Sequence, residues 1–226
     1  MNDPTTALPP FSDRSGVTDA VRVQILATEH WSLLATRSMT WNEIFSRASM
    51  YFTLLSAAVV ALALVAQATD FGPSFLLFAL LVLPIVLLMG IGTFLRLSQA
   101  NSDNFGQVAG MNRLRHAYLE LAPELEPYFT TTHNDDIASI MQSSGQGSRI
   151  SVAYLLAGTP TLVIAINSVV AGVIASLIAE TLRATSTANV VVGVVAALAV
   201  AFGHGMVVHH TIKHGRSGYH PRFPRS

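Results

Sequence analysis

The chain has 226 residues, 51% of them hydrophobic and 12% charged, with a mean hydropathy of +0.48. Soluble globular proteins carry about a quarter charged residues, so the shortfall argues for a surface that faces lipid. Thirteen basic against thirteen acidic residues leave no net charge to attract a nucleic acid, and the absence of cysteine excludes disulfides, thiolate zinc sites and iron–sulfur clusters.

Residues 1–16 (MNDPTTALPPFSDRSG) are polar and proline-containing. They lack the apolar region of a signal peptide, so a disordered, uncleaved N-terminus is expected. Lys213 is the single lysine; with the excess of alanine and valine, this composition points to a GC-rich bacterial genome.

Residues 17–49 read as a cytoplasmic helix that feeds directly into the first apolar run. Ala27, Trp31, Leu34, Ser38, Trp41, Phe45, Ala48 and Phe52 recur at alternating steps of four and three, which keeps one helix face continuous. A competing reading breaks this helix near Thr40, because Thr40 and Glu43 have the spacing of a capping box.

Four apolar runs follow along the chain: Met50–Ala68, Phe75–Leu95, Val152–Ala179 and Ala188–Val208. None contains Asp, Glu, Lys or Arg. Crossing the hydrocarbon takes about 20 apolar residues, and these runs are apolar all round, unlike the striped helix of a soluble core. The fold expected is therefore all-α, a polytopic membrane protein with transmembrane hairpins over 50–95 and 152–208. The third run exceeds the need, so it is tilted, bent at Pro160 or partly outside the bilayer. Arg14, Arg22, Arg37 and Arg47 precede span one. Arg96, Arg113, Arg115 and Arg149 lie in the middle loop, and Lys213, Arg216, Arg222 and Arg225 follow span four; Arg183 alone falls on the other side. Basic residues near spans stay cytoplasmic. Both termini are thus expected in the cytoplasm of a cell with this protein in its inner (plasma) membrane.

The middle loop, 96–151, repeats the device of residues 17–49. Met111, Leu114, Tyr118, Leu121 and Leu125 keep a three–four rhythm, with Asn104 and Gln107 on the same line, up to a stop near Pro123. Two such helices leaving one side of adjacent spans predict an antiparallel cytoplasmic stalk, with Trp31, Leu34, Trp41 and Phe45 against Met111, Leu114, Tyr118 and Leu121. The alternative lays one stripe flat in the headgroups, anchored by Trp31 and Trp41. Residues 130–150 hold a short helix capped by Asn134 or Asp135, then a flexible Ser/Gly stretch. The tail 209–226 reads as disordered.

The segments His30–Arg47 (HWSLLATRSMTWNEIFSR) and Met111–Phe129 (MNRLRHAYLELAPELEPYF) are similar to those of uncharacterised actinobacterial integral membrane proteins. The order of soluble helix, transmembrane hairpin and soluble helix resembles the two-span effector modules of bacterial conflict systems. That resemblance implies oligomers that perturb the membrane when a partner sensor fires. Such modules usually stop after two spans, and the second hairpin here departs from that pattern.

Few residues invite chemistry. His204 lies in span four, where ionisable groups are costly and often functional. Counting depth along straight spans sets it level with Thr159 and Pro160. An imidazole there can bond the Thr159 hydroxyl or the Leu156 carbonyl, whose helical donor Pro160 removes, making a neutral inter-helix clamp. A proton- or metal-handling role and proximity to lipid headgroups are the rival readings. Asn167 falls about 10 Å from His204 in depth, so it is expected to bond another helix or its own copy in a neighbouring subunit. His210 and His214 have spacing that can share a metal, with His209 beside them, but no carboxylate is close and an exposed polar collar is expected. His133, Asp135 and Asp136 could be imagined as a hydrolytic or divalent-ion site, but ordinary helix capping explains the acids. Glu120, Glu124 and Glu126 read as a solvated face.

Gly193, Ala197, Ala201 and Gly205 in span four, and Ser168, Gly172 and Ser176 in span three, recur every four residues. Such rows let helix backbones approach closely in lipid, within one chain or between chains. The function expected is a non-enzymatic membrane protein that needs no cofactor. It self-associates into a homo-oligomer, with a stalk for assembly or for a cytoplasmic protein partner, and a pore-forming effector is its bolder form. The alternative is a small transporter or ion channel.

Overall fold

The computed structural model describes residues 17–145 and 158–225, without the side chains of 214–217. The expectations for 1–16, for the Ser/Gly stretch past Gly145, for Leu156 and for the His214 imidazole therefore lie outside the described residues. Helices make up nearly all of the rest, and no strand occurs among the described residues. They are α1 (Asp19–Thr69), α2 (Pro73–Leu121), α3 (Ile137–Ser143), α4 (Thr159–Thr181) and α5 (Ser186–Ser217), with a 3₁₀ turn at Pro123–Tyr128.

Helices α1, α2, α4 and α5 are each long and apolar enough to cross a membrane. At 1.5 Å per residue, the 51 residues of α1 and the 49 of α2 each extend about 75 Å. Hydrocarbon is only about 30 Å thick, so more than half of each helix would continue past it. No break interrupts α1 at Thr40, because helix propagation there costs nothing that a cap would recover. Helix α2 stops at Leu121, two residues before Pro123. Helix α4 begins at Thr159, so Pro160 sits in its first turn, where no backbone donor is needed, and does not bend the span.

Both tight connections close through non-glycine residues in the left-handed region, Asp70 and Phe71 after α1 and Arg183 after α4. Around Arg183 the Ala184 amide donates to the Ala179 carbonyl at 3.1 Å and the Arg183 amide to that of Glu180 at 2.9 Å. This pair of bonds satisfies the last carbonyls of the helix.

The chain divides into two compact units. Among the described residues, one comprises 17–39, 103–145 and 219–225, the other 40–102 and 158–218. In the second, Ile44, Tyr51 and Ala58 of α1, Val86, Phe94, Leu97 and Ala100 of α2, and Val163 of α4 form one core, while Ala79, Leu83 and Val170 form another. Outward, α5 presents Val191, Val194, Leu198 and Phe202, and only 11% of its most apolar window is buried. Water would penalise such a surface, and lipid does not.

In the first unit α1 and α2 pack antiparallel. His30 stacks on Tyr118 at 6.1 Å, Leu33 packs on Gly110, and Arg37 Nε donates to Asn104 Oδ1 at 2.8 Å. The face of α1 used for this differs from the expected one. Trp31 is 70% exposed and Leu34 41%, and in the second unit Phe45 is 57% exposed. The inward positions are Arg22, Leu26, His30, Leu33 and Arg37 and, in the second unit, Ile44 and Tyr51; of the predicted stripe, Ala48 is buried there and Trp41 and Phe52 are half-buried against the core. That face lies about one residue step, or a quarter turn, from the predicted stripe. The reason is chemical. The α2 face opposite carries Asn104 and Tyr118, which bond or stack with Arg37 and His30, so polar pairs displace the apolar stripe that was expected to choose the contact. On α2 the expected residues do turn inward: Met111 is buried, and Leu114, Tyr118 and Leu121 are partly so.

The tail also departs from expectation. Helix α5 continues to Ser217, and residues 219–225 lie along the 132–142 segment in defined contacts. Asp135 supplies the reason, as described below.

Candidate functional site

Four helices that would otherwise offer only hydrocarbon to one another meet at a buried polar chain. Tyr51 of α1 donates its hydroxyl to Asn167 Oδ1 of α4 at 2.9 Å. The Asn167 amide nitrogen lies 3.3 Å from His204 Nε2 of α5, and His204 Nδ1 lies 2.8 Å from the Val200 carbonyl. Tyr51 and Asn167 are fully buried and His204 nearly so. Helix α2 adds the Phe94 ring, set edge-on to the imidazole at 4.3 Å, and Gly90. A Cβ built on Gly90 would fall on the Asn167 amide oxygen and within 2.9 Å of the Tyr51 hydroxyl oxygen, so only glycine leaves room for this junction.

The bonds fix the protonation pattern. A carbonyl can only accept, so His204 carries its proton on Nδ1, toward Val200. Asn167 Oδ1 is taken by Tyr51, so the amide NH₂ faces Nε2 and donates to it. The arrangement is a closed hydrogen-bonded chain across α1, α4 and α5, of the kind that stabilises helix contacts in an apolar medium.

Asn167 is therefore the partner that the depth count set apart from His204. The count took both helices as straight rods and ignored side-chain direction. Helical side chains lean toward the N-terminus, and the imidazole leans back along α5 to Val200, toward the connection between α4 and α5. Thr159, at the start of α4, is not in the clamp, since Asn167 and Val200 occupy both ring nitrogens. Tyr51 was missed because it opens an apolar run and was counted with it. The signal was available, since a buried tyrosine hydroxyl needs a partner.

The small-residue rows are only partly used. Gly172 and Gly193 meet between α4 and α5 within one chain, with Ala197 and Ser176 alongside. Ser168 is buried and bonds the Ile164 carbonyl of its own helix. Gly205 faces outward, because α5 turns inward through Val200, His204 and Val208 instead, and Ala201 is half-buried beside that line.

In the other unit Asp135, at 0% exposure, is the anchor. Oδ2 accepts from Arg113 Nε at 2.7 Å, the Tyr219 hydroxyl at 3.1 Å and the Arg222 amide at 3.0 Å, and Oδ1 from the Phe223 amide at 2.8 Å. Burial opposes ionisation of Asp135. The Arg222 amide, Arg113, the Phe223 amide and Tyr219 outweigh it and hold the carboxyl below its ordinary pKa. Asp136, rather than Asn134 or Asp135, caps α3, accepting from the Ser139 amide at 3.1 Å and its hydroxyl at 2.6 Å. Both acids are thus occupied by protein donors, which leaves the imagined hydrolytic or divalent-ion site without free carboxylate oxygens. His133 instead lies beside His116, ring centroids 5.7 Å apart. His209 and His210 are exposed on α5.

No family model, curated protein or solved structure matches the chain.

Proposed function

We propose that the chain is a non-catalytic protein of the inner (plasma) membrane, with four spans and both termini in the cytoplasm. Its membrane-flanking helices serve self-association or docking of a cytoplasmic protein partner. The observation that carries this reading is the closed Tyr51–Asn167–His204 chain. It is a polar cluster buried among the apolar helices, and its members bond one another and the Val200 carbonyl, as suits a lock between spans. The lengths of α1 and α2 support helices that continue beyond the lipid. The bonds from Asp135 to Arg222 and Phe223 support a middle loop and a tail on one side of it. Trp31 and Leu34, uncovered on α1, favour an assembly role for that segment.

Light scattering on the protein in nanodiscs tests this directly. A mass above one copy that falls on Trp31→Ser is expected, and a strict monomer would remove the self-association. The cysteine-free chain also permits topology mapping. Asp70→Cys and Arg183→Cys should react with an impermeant maleimide on intact cells, while Ser143→Cys should not. The bolder form, a membrane-perturbing effector, requires dye leakage from liposomes.

A small transporter or ion channel is the second reading, favoured only by His204 lying among the apolar helices. Flux that is equal in the wild type and His204→Ala would leave the clamp as the role of that histidine.

A further inference from the structure

The C-terminal segment is held as a peptide is held by a receptor. Its backbone pairs with Asp135 in both directions, the Asp135 amide donating to the Phe223 carbonyl at 3.1 Å and the Phe223 amide to Oδ1 at 2.8 Å. The Arg225 amide lies 3.3 Å from Asp136 Oδ1, and its guanidinium reaches Gln142 Oε1 at 3.2 Å. Phe223 stacks on the His116 ring at 4.0 Å, and Arg113 lies over the Tyr219 ring while bonding its hydroxyl. Yet Pro221, Arg222, Pro224 and Arg225 stay exposed, and only Tyr219 and Phe223 are half-buried. Specific polar contacts with little buried area are the marks of a ligand that can leave.

The cradle also contains a group that does not suit it in every protonation state. His116 has its Nδ1 buried without a hydrogen-bond partner. The titratable groups that act on the ring are Glu120 on its own helix and His133 and Asp135 from the loop, with Arg113 holding Asp135. Glu120 Oε1 stands 3.6 Å from Nε2.

We propose that Arg113, His116, Asp135 and Asp136 form a peptide-docking site that the chain's own residues 219–225 occupy at neutral pH and vacate on mild acidification. A proton on His116 adds an N–H at Nδ1, a spot with no acceptor, and adds repulsion from His133. Burial, the first cause, lowers the His116 pKa from 6.5; His133 adds to this, and Glu120 and Asp135 oppose it. A base whose pKa is lowered by docking favours docking fully above its free value and less as the pH falls below it. The resident segment, Tyr219-His-Pro-Arg-Phe-Pro-Arg, defines the chemistry of any competing partner: a non-helical peptide bent at its centre, with Tyr and Phe side chains four residues apart and arginines between and after them. The inference rests on this unit alone and stands whether or not the chain self-associates.

The test uses the full chain in nanodiscs with His220→Cys carrying a nitroxide. At about pH 7.5 the label should be immobilised, and at about pH 5.5 its mobile fraction should rise roughly threefold or more. His116→Phe with His133→Gln keeps the stacking and should abolish the rise, while Asp135→Asn should free the tail at both values. A chain ending at Gly218 should bind the synthetic peptide 219–226 saturably at the higher pH. A label equally immobile at both values, or a rise that survives the double substitution, would overturn the acid release. Failure of the peptide to bind would overturn the docking site.

Discussion

Gly172 and Gly193 touch backbone to backbone: a Cβ on Gly172 would stand 2.7 Å from the Gly193 carbonyl oxygen, and one on Gly193 3.0 Å from the Gly172 carbonyl oxygen. The obstruction in each case is main chain, which cannot rotate away as a side chain can. Close approach of α4 and α5 is therefore set by two hydrogen atoms. Gly172→Ala should separate the helices and lower stability by about 1–3 kcal/mol, read by thermal denaturation in detergent, and an unchanged transition would refute the contact. Gly205→Ala, on the outward side, should be neutral.

The clamp makes a non-additive prediction. Asn167→Ala leaves the Tyr51 hydroxyl and His204 Nε2 unpaired in apolar surroundings, at a cost of about 1–3 kcal/mol. Gly90→Ala should cost as much or more, because its Cβ occupies the Asn167 amide position. Once Asn167→Ala has emptied that space, adding Gly90→Ala should cost far less than it does alone. Equal costs in the two backgrounds would contradict the geometry.

Glu43 offers a test by titration. The Arg96 guanidinium, at 2.7 Å, and Arg47, at 2.9 Å, hold its carboxyl down to about 2 from 4.5. A lowered carboxylate contributes its stability in full above the free value and loses it as the pH falls toward the bound one. The ¹³C resonance of this side chain should thus stay in its ionised position through pH 4.5. Titration at 4.5 would mean that the two arginines are not engaged, and in high salt the depression should shrink because the Arg47 bond is exposed and the Arg96 pair partly so.

Arg183 adopts φ 58° at the end of α4, where a side chain crowds the following carbonyl. Arg183→Gly keeps both closing hydrogen bonds and removes the crowding, so stability should rise by about 0.5–1 kcal/mol. A loss measured by chemical denaturation would indicate that the guanidinium makes a contact worth more than the strain.

Much of this protein follows from the order of its residues. The four apolar helices could be read because hydrocarbon imposes one requirement on every residue of a span, and a run without charges meets it whatever its neighbours are. The inward side of α2 at Met111, Leu114 and Tyr118 was likewise readable from periodicity. Which face of α1 packs was not, because periodicity marks every apolar stripe and the choice among them depended on His30 and Arg37 finding Tyr118 and Asn104. The same holds for Asn167 with His204, residues 37 positions apart, and for Asp135 with a tail that composition alone leaves disordered. A hydrogen bond or a stack depends on distance and direction between particular atoms, and only the folded chain supplies those.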